Sequence, residues 1–165
     1  RTETETGHPD LANRPYHSTG ALSFSTKGEY GVRLMAQLAA RFGQGPASLT
    51  DIAEQEALPR AYLEQLVISL RDADLVCSTR GAHGGYLLAR PPGDVSVGDV
   101  FRAVEGTLIS LDCVGEGGIP CSRQDVCASR NVWQLVADRL SETLDHTSLA
   151  DLVREHLPGI KEVSS

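Results

Sequence analysis

The sequence predicts a mainly α fold with one small β wing, followed by a long C-terminal helix. Three observations carry this. Apolar residues recur at helical spacing over 26–42 and again over 60–75. Two β-like runs, 75–79 and 86–88, flank the turn Arg80-Gly-Ala-His-Gly-Gly85. From Arg130 onward, Val132, Leu135, Val136, Leu140 and Leu144 form a stripe too apolar for a free surface helix. Helix, tight break, helix and hairpin, in that order, describe a winged helix-turn-helix. The last stripe describes a helix that packs on a second copy of the chain.

Residues 1–22 are rich in Thr, Pro, Gly and His and lack periodicity, so they read as a flexible extension. Helical patterning begins near Thr26, with Tyr30, Leu34, Leu38 and Phe42 at steps of four and Val32, Met35 and Ala39 beside them. Gly43, Gly45 and Pro46 stop it. Ser48 or Thr50 then caps a short helix with Ile52 and Ala53 inward. Leu58-Pro59 breaks that helix and starts the next, with Pro59 suited to a first helical position. Along it, Leu63, Leu66, Val67, Leu70 and Leu75 define an inner face, and Arg60, Ala61, Glu64, Gln65 and Arg71 an outer one.

Cys77 lies in the apolar run Leu75-Val76-Cys77 and is expected to pack as a small hydrophobe. Pro91-Pro92-Gly93 reads as a linker. Ser96, with Asp99 three residues on, opens a helix through Val97, Val100, Phe101 and Val104, and Gly106 ends it. A cysteine-bearing loop runs over 112–129. A last short turn or helix is expected over 145–152, and the tail 158–165 is expected to fray. The expected organisation is thus an extension (1–22), a winged helix-turn-helix (23–92), and dimerisation helices with the cysteine loop (93–157).

At 165 residues and 41% hydrophobic content, the chain suits a globular protein, either one domain with a real core or one small domain plus an appended element. No apolar run approaches the roughly 18 residues of a membrane span. The polar N-terminus has no apolar core of a secretory signal, so the expected compartment is the cytoplasm. The formal net charge of -7 is unevenly spread: residues 23–90 balance to zero, while 91–165 carry -6. The acidity therefore sits away from the helix-turn-helix. Double-stranded DNA remains compatible with that half, with binding expected to depend strongly on salt.

A helix in the major groove needs polar side chains aimed at base edges and backbone. Arg60, Tyr62, Glu64 and Gln65 suit that role, with Thr26, Lys27 and Thr50 placed to touch phosphates; an ordinary solvated helix face is the competing reading. Arg80 at the wing tip suits the narrow, electronegative minor groove. His83 beside it is a weaker candidate, since a turn histidine is usually only solvated.

Cys113, Cys121 and Cys127 are spaced C-x7-C-x5-C in a polar loop with Gly115, Gly117, Gly118 and Pro120. Clustered thiols without a secretory context favour a metal centre over a disulfide framework. Iron–sulfur clusters and zinc both take thiolates, but zinc motifs favour closer C-x2-4-C pairs. Three thiolates leave a fourth ligand to be found. The carboxylates Asp112, Glu116 and Asp125 are candidates, as is an acidic residue from another subunit. No Ser/His/Asp-like arrangement, phosphate loop or purposeful carboxylate pair suggests an enzyme.

Together, Ser25-Thr-Lys-Gly-Glu-Tyr-Gly-Val-Arg33, Tyr62-Leu-Glu-Gln-Leu66, Arg80-Gly-Ala-His-Gly-Gly-Tyr86-Leu-Leu-Ala-Arg90 and the three cysteines resemble the Rrf2 family of bacterial transcription regulators, over about 24–153. The resemblance implies a homodimeric winged-helix protein that binds an operator. It implies a long helix crossing to the partner, and a cluster on the three cysteines whose state sets DNA affinity. The family's iron–sulfur biogenesis regulator places a His three residues after the third Cys, where this chain has Arg130. Its nitric-oxide sensor uses an acidic residue from the first helix of the opposite subunit, and the matching position here is Glu29. The resemblance therefore implies Glu29 as a fourth ligand in trans and favours [4Fe-4S] over [2Fe-2S]. The wider first gap resembles the rhizobial iron regulator instead. A zinc-stabilised winged-helix or scaffold protein without cluster sensing is the alternative.

Overall fold

The computed structural model describes residues 25–108, 114, 123 and 125–156. The N-terminal extension, the tail, and most of the cysteine loop, including Cys113 and Cys121, lie outside the described residues.

Among the described residues, six helices and one hairpin follow the order α1 (Thr26–Ala40), α2 (Leu49–Glu56), α3 (Arg60–Asp72), β1 (Val76–Thr79), β2 (Gly85–Leu88), α4 (Val97–Glu105), α5 (Arg130–His146) and α6 (Leu149–His156). Local chemistry fixes their ends. Ser25 caps α1 by accepting from the Gly28 N–H at 3.0 Å. Ser48, of the two candidates, caps α2. At α4, Ser96 and Asp99 form a reciprocal capping box, and Gly106 closes the helix at φ 85°. Ser148 and Asp151 repeat that exchange before α6, which runs to His156, past the turn or helix expected over 145–152.

Helices α1, α2 and α3 pack through Leu34, Met35, Ile52, Leu63 and Leu70, each fully buried. Val100 of α4 and Leu149 of α6 join the same core. Glycine brings α1 and α4 together: a Cβ at Gly28 would lie 2.3 Å from a ring carbon of Phe101. Antiparallel β1 and β2 pair Val76 with Leu88 and Thr79 with Gly85. The segment before α2 adds a bridge, with Ala47 and Tyr86 exchanging two backbone hydrogen bonds of 2.9 Å.

Four expectations need correction. Phe42 lies past the end of α1 and is 47% exposed, because the chain turns through Gly43 and Gly45 at positive φ. Cys77 is exposed rather than packed: strand alternation turns Val76 inward and Cys77 outward, and no layer among the described residues covers that face. Pro59 is the N-cap of α3, one position before the helix, and Pro92–Asp94 forms a 3-10 turn in place of a linker.

Asp145, the penultimate residue of α5, takes a bidentate pair from Arg102 of α4 (2.8 and 2.7 Å). The hydrogen bonds from Arg102 hold the Asp145 carboxyl below its ordinary range. A depressed folded-state value means that the stabilisation is complete above the unfolded value of 3.8 and is lost as pH falls through the folded one. Both side chains are 36% exposed, so solvent screens the pair. Asp145→Asn is expected to cost at most about 1 kcal/mol at neutral pH. It should also make stability fall less steeply below about pH 4. Urea unfolding of both proteins at neutral and acid pH checks this, and parallel pH profiles would count against it.

Candidate functional site

The outer face of α3 is polar and open. Arg60, Glu64 and Gln65 are exposed, and Arg60 Nε donates to Glu64 Oε1 at 3.0 Å. Ile68 continues the same i+4 row and is 60% exposed, an apolar group on this face that the sequence pattern did not single out. Its signal is an isoleucine directly after the inward Val67, one step out of the inner stripe. Tyr62 is half-buried, its ring set edge-on to Tyr30 with centroids 5.5 Å apart. It braces α3 on α1 as well as reaching the surface.

Thr26 and Lys27 are exposed in the first turn of α1. Thr50 stands half-buried in the first turn of α2, its N–H donating to Ser48 Oγ at 3.1 Å. Free N–H groups and positive dipole ends at helix starts suit phosphate oxygens. Arg80 and His83 are exposed at the hairpin tip, where Gly81 adopts φ 115°. The shared core fixes α1, α2, α3 and the hairpin relative to one another, so these residues belong to one rigid unit.

Glu29 sits in the first turn of α1, with its side chain 59% exposed and Oε1 3.8 Å from Arg33 Nη1. Arg33 is held mainly by α2: its Nε donates to Glu56 Oε2 at 2.9 Å, and a terminal nitrogen donates to the Glu56 carbonyl. The Glu29 carboxylate is therefore only loosely engaged within one chain.

Cys127 is half-exposed just before α5. Its Sγ lies 3.3 Å from Ser129 Oγ, and its carbonyl accepts from the Arg130 N–H at 3.3 Å. The Ser129 hydroxyl, then the Ser129 and Arg130 backbone N–H groups, hold the thiol below its ordinary range, against a smaller opposing effect of burial. Ser129 is the N-cap residue of α5 but makes no side-chain cap bond, since its hydroxyl is turned to the sulfur. Arg130 Nε is buried with no hydrogen-bond partner among the described residues. The sequence pattern did not single out these donors; the available signal is Ser-Arg two residues after the third cysteine. Among the described residues no group of three metal-ligating side chains is gathered, as two of the cysteines fall outside them.

Along α5, Val132, Trp133 and Leu135 are 56%, 45% and 58% exposed, while Ala137 is buried. No helix among the described residues is long and apolar enough to cross a membrane.

A family model, Rrf2, described as an iron-dependent transcriptional regulator, matches residues 24–155. The chain is 40% identical over 131 residues to the HTH-type transcriptional regulator CymR of Bacillus subtilis, covering 79% of this chain and 89% of that one. It is 38% identical over 132 residues to the HTH-type transcriptional regulator IscR of Cronobacter sakazakii, covering 80% of each. Among solved structures, that of CymR, described as the global cysteine regulator of B. subtilis, superposes with a TM-score of 0.67 at 42% identity, covering 81% of this chain and 98% of that one. IscR of T. potens gives 0.66 at 44% identity, covering 81% and 88%.

Proposed function

The chain belongs to the Rrf2 family of DNA-binding transcription regulators, and we propose that it acts as a homodimer whose operator affinity is set by an iron–sulfur cluster. Cys113, Cys121 and Cys127 would hold the cluster, with Glu29 of the opposite subunit as fourth ligand and [4Fe-4S] favoured over [2Fe-2S]. The observation that carries the reading is the setting of Cys127. Its sulfur lies 3.3 Å from the Ser129 hydroxyl, its thiol is held below the ordinary range chiefly by that hydroxyl, and a buried guanidinium nitrogen without an acceptor among the described residues stands three residues on. That is the chemistry an anionic sulfur centre requires.

Two further features support it. The cysteine loop lies in sequence between α4, which packs on α1, and α5, whose Val132, Trp133 and Leu135 are uncovered in one chain. A second subunit covering those residues would have its own α1 available to the loop. When bound, the cluster supplies an exchangeable link that responds to iron, redox state or nitric oxide. Glu29 would tie α1 of one subunit to the loop of the other, so that loss of its hold would free α1. The two copies of α3, which must meet half-sites about 34 Å apart, then shift their spacing.

At the operator, Arg60, Glu64 and Gln65 face base edges, with Tyr62 beside them. Thr26, Lys27 and Thr50 meet phosphates, and Arg80, with His83, meets the minor groove. Arg80→Ala is expected to weaken operator binding about tenfold, equivalent to about 1.4 kcal/mol. It should also flatten the salt dependence by about one counterion. Fluorescence anisotropy across a salt series reads both.

Anaerobic purification with iron and sulfide analysis, visible and Mössbauer spectra tests the whole reading. Stoichiometric iron and sulfide are expected; zinc without sulfide overturns the sensor and leaves a DNA-binding regulator. In Glu29→Ala, cluster loss to a chelator is expected to be faster than in the unaltered protein. An unchanged rate removes Glu29 from the ligand set.

A further inference from the structure

Ile68 is 60% exposed in the second half of α3 and stands outside the core cluster. A β-branched residue on a solvated helix face gives up helix propensity without the packing that usually offsets the loss. Its place on the helix is specific. At about 100° per residue, Ile68 falls within about 10° of the midline between Glu64 and Gln65. Arg60, Glu64 and Arg71 border it on one side, Gln65 and Asp72 on the other, and all five are exposed. Arg60 and Glu64 pair with each other on that border at 3.0 Å. The outer face of α3 is thus a branched alkyl group set between charged and polar side chains. The core of a protein–protein contact is apolar and depleted of charge, which this face is not. Duplex DNA offers the matching surface. Its major groove presents hydrogen-bonding base edges interrupted by one apolar group, the thymine C5 methyl.

Resting on the operator reading above, in which α3 enters the major groove, we infer that Ile68 is a specificity-determining residue that reads a thymine C5 methyl group. The discrimination comes from water. The methyl and the isoleucine side chain lose their hydration together on contact, whereas a base without the methyl leaves the isoleucine against a polar edge or a gap. Glu64 and Gln65, on either side, suit the cytosine amino group and the adenine N6/N7 edge, so the three residues read different chemistry. A methyl reader carries no charge. Its loss changes sequence preference without changing the salt dependence, which separates it from a phosphate contact.

The test uses the full-length protein, purified anaerobically, with Ile68→Ala and Ile68→Val. Selection from a random double-stranded DNA pool supplies the preferred site. Each thymine in it is then replaced singly by deoxyuridine, which removes only the methyl, and fluorescence anisotropy reads the affinities. For the unaltered protein, replacement at one position of a half-site is expected to weaken binding about fourfold, the factor for one buried methyl-sized group. Ile68→Ala is expected to bind the thymine and uracil forms equally at that position. It should keep the unaltered protein's sensitivity at every other thymine, its salt dependence and its thermal stability. Ile68→Val keeps a branched alkyl group and is expected to retain part of the preference. Methyl sensitivity that is absent from the unaltered protein, or that persists in Ile68→Ala, overturns the methyl reader while leaving operator binding intact. Dissociation of the assembly in Ile68→Ala with an unchanged thymine preference overturns it in favour of a contact between copies. Unaltered protein that enriches no DNA sequence overturns the operator reading and the methyl reader with it.

Discussion

Gly85→Val is expected to cost about 3 kcal/mol of stability and to lower operator affinity well beyond the loss in any single exposed contact. The reason lies in backbone rather than side chains. Gly85 opens β2, and a Cβ there would stand 2.4 Å from the Ala47 carbonyl oxygen and 2.8 Å from its carbon. Neither atom can rotate away, because Ala47 and Tyr86 are joined by two backbone hydrogen bonds. A side chain at 85 must therefore separate the hairpin from the segment leading into α2. That breaks the bridge tying the wing to the start of the helix-turn-helix. The exposed Arg80 and His83 would keep their chemistry but lose their fixed position. Thermal unfolding with operator titration checks it: a lower Tm with unchanged affinity would separate wing placement from DNA binding. Gly81 is the internal control. A Cβ at that position would have no neighbour within 4 Å among the described residues, and only the φ of 115° opposes substitution. Gly81→Ala should therefore cost about 1 kcal/mol.

Much of this architecture is legible locally. Ser96 and Asp99 announce α4 because a capping box is an exchange between residues three apart. Gly106 announces its end through its freedom to turn left-handed. The inner stripe of α3 is legible because its apolar residues at helical spacing leave one consistent face. What is not legible depends on neighbours distant in sequence. Cys77 reads as core because it follows apolar residues, yet a two-stranded sheet has only one covered face. Phe42 continues the α1 stripe by spacing but falls after the helix has ended. The Ala47–Tyr86 bridge and the Arg102–Asp145 pair join positions 39 and 43 residues apart, with no local mark. At the candidate centre, the three cysteines stand out by type and spacing. The turn of Ser129 toward Cys127 does not, since serine before a helix normally signals a cap.

The seam between α1 and α4 carries the second large effect. Overpacking in Gly28→Leu is expected to cost about 3 kcal/mol, at the upper end of such costs. Leucine at a helical position recovers somewhat under 1 kcal/mol of propensity over glycine, which leaves a net loss of about 2. The site has no room: a Cβ at Gly28 would meet three ring carbons of Phe101 at 2.3–2.9 Å, and Phe101 is itself buried. Gly31, one turn on, leaves only slightly more space against Val104, at 3.3 Å. Both helices are thus held at backbone distance, and a shift in either one must move the other. Phe101→Ala should make room for the leucine, so the double variant is expected to be more stable than the two single losses added together. Additive losses would mean that α1 and α4 do not press on each other at this point. The same seam joins the helix that leads into the cysteine loop to the helix that carries Thr26, Lys27 and Glu29. With a cluster on that loop, Gly28→Leu should also reduce the difference in operator affinity between cluster-loaded and cluster-free protein. The difference should return with Phe101→Ala, which a general loss of folded protein would not reproduce.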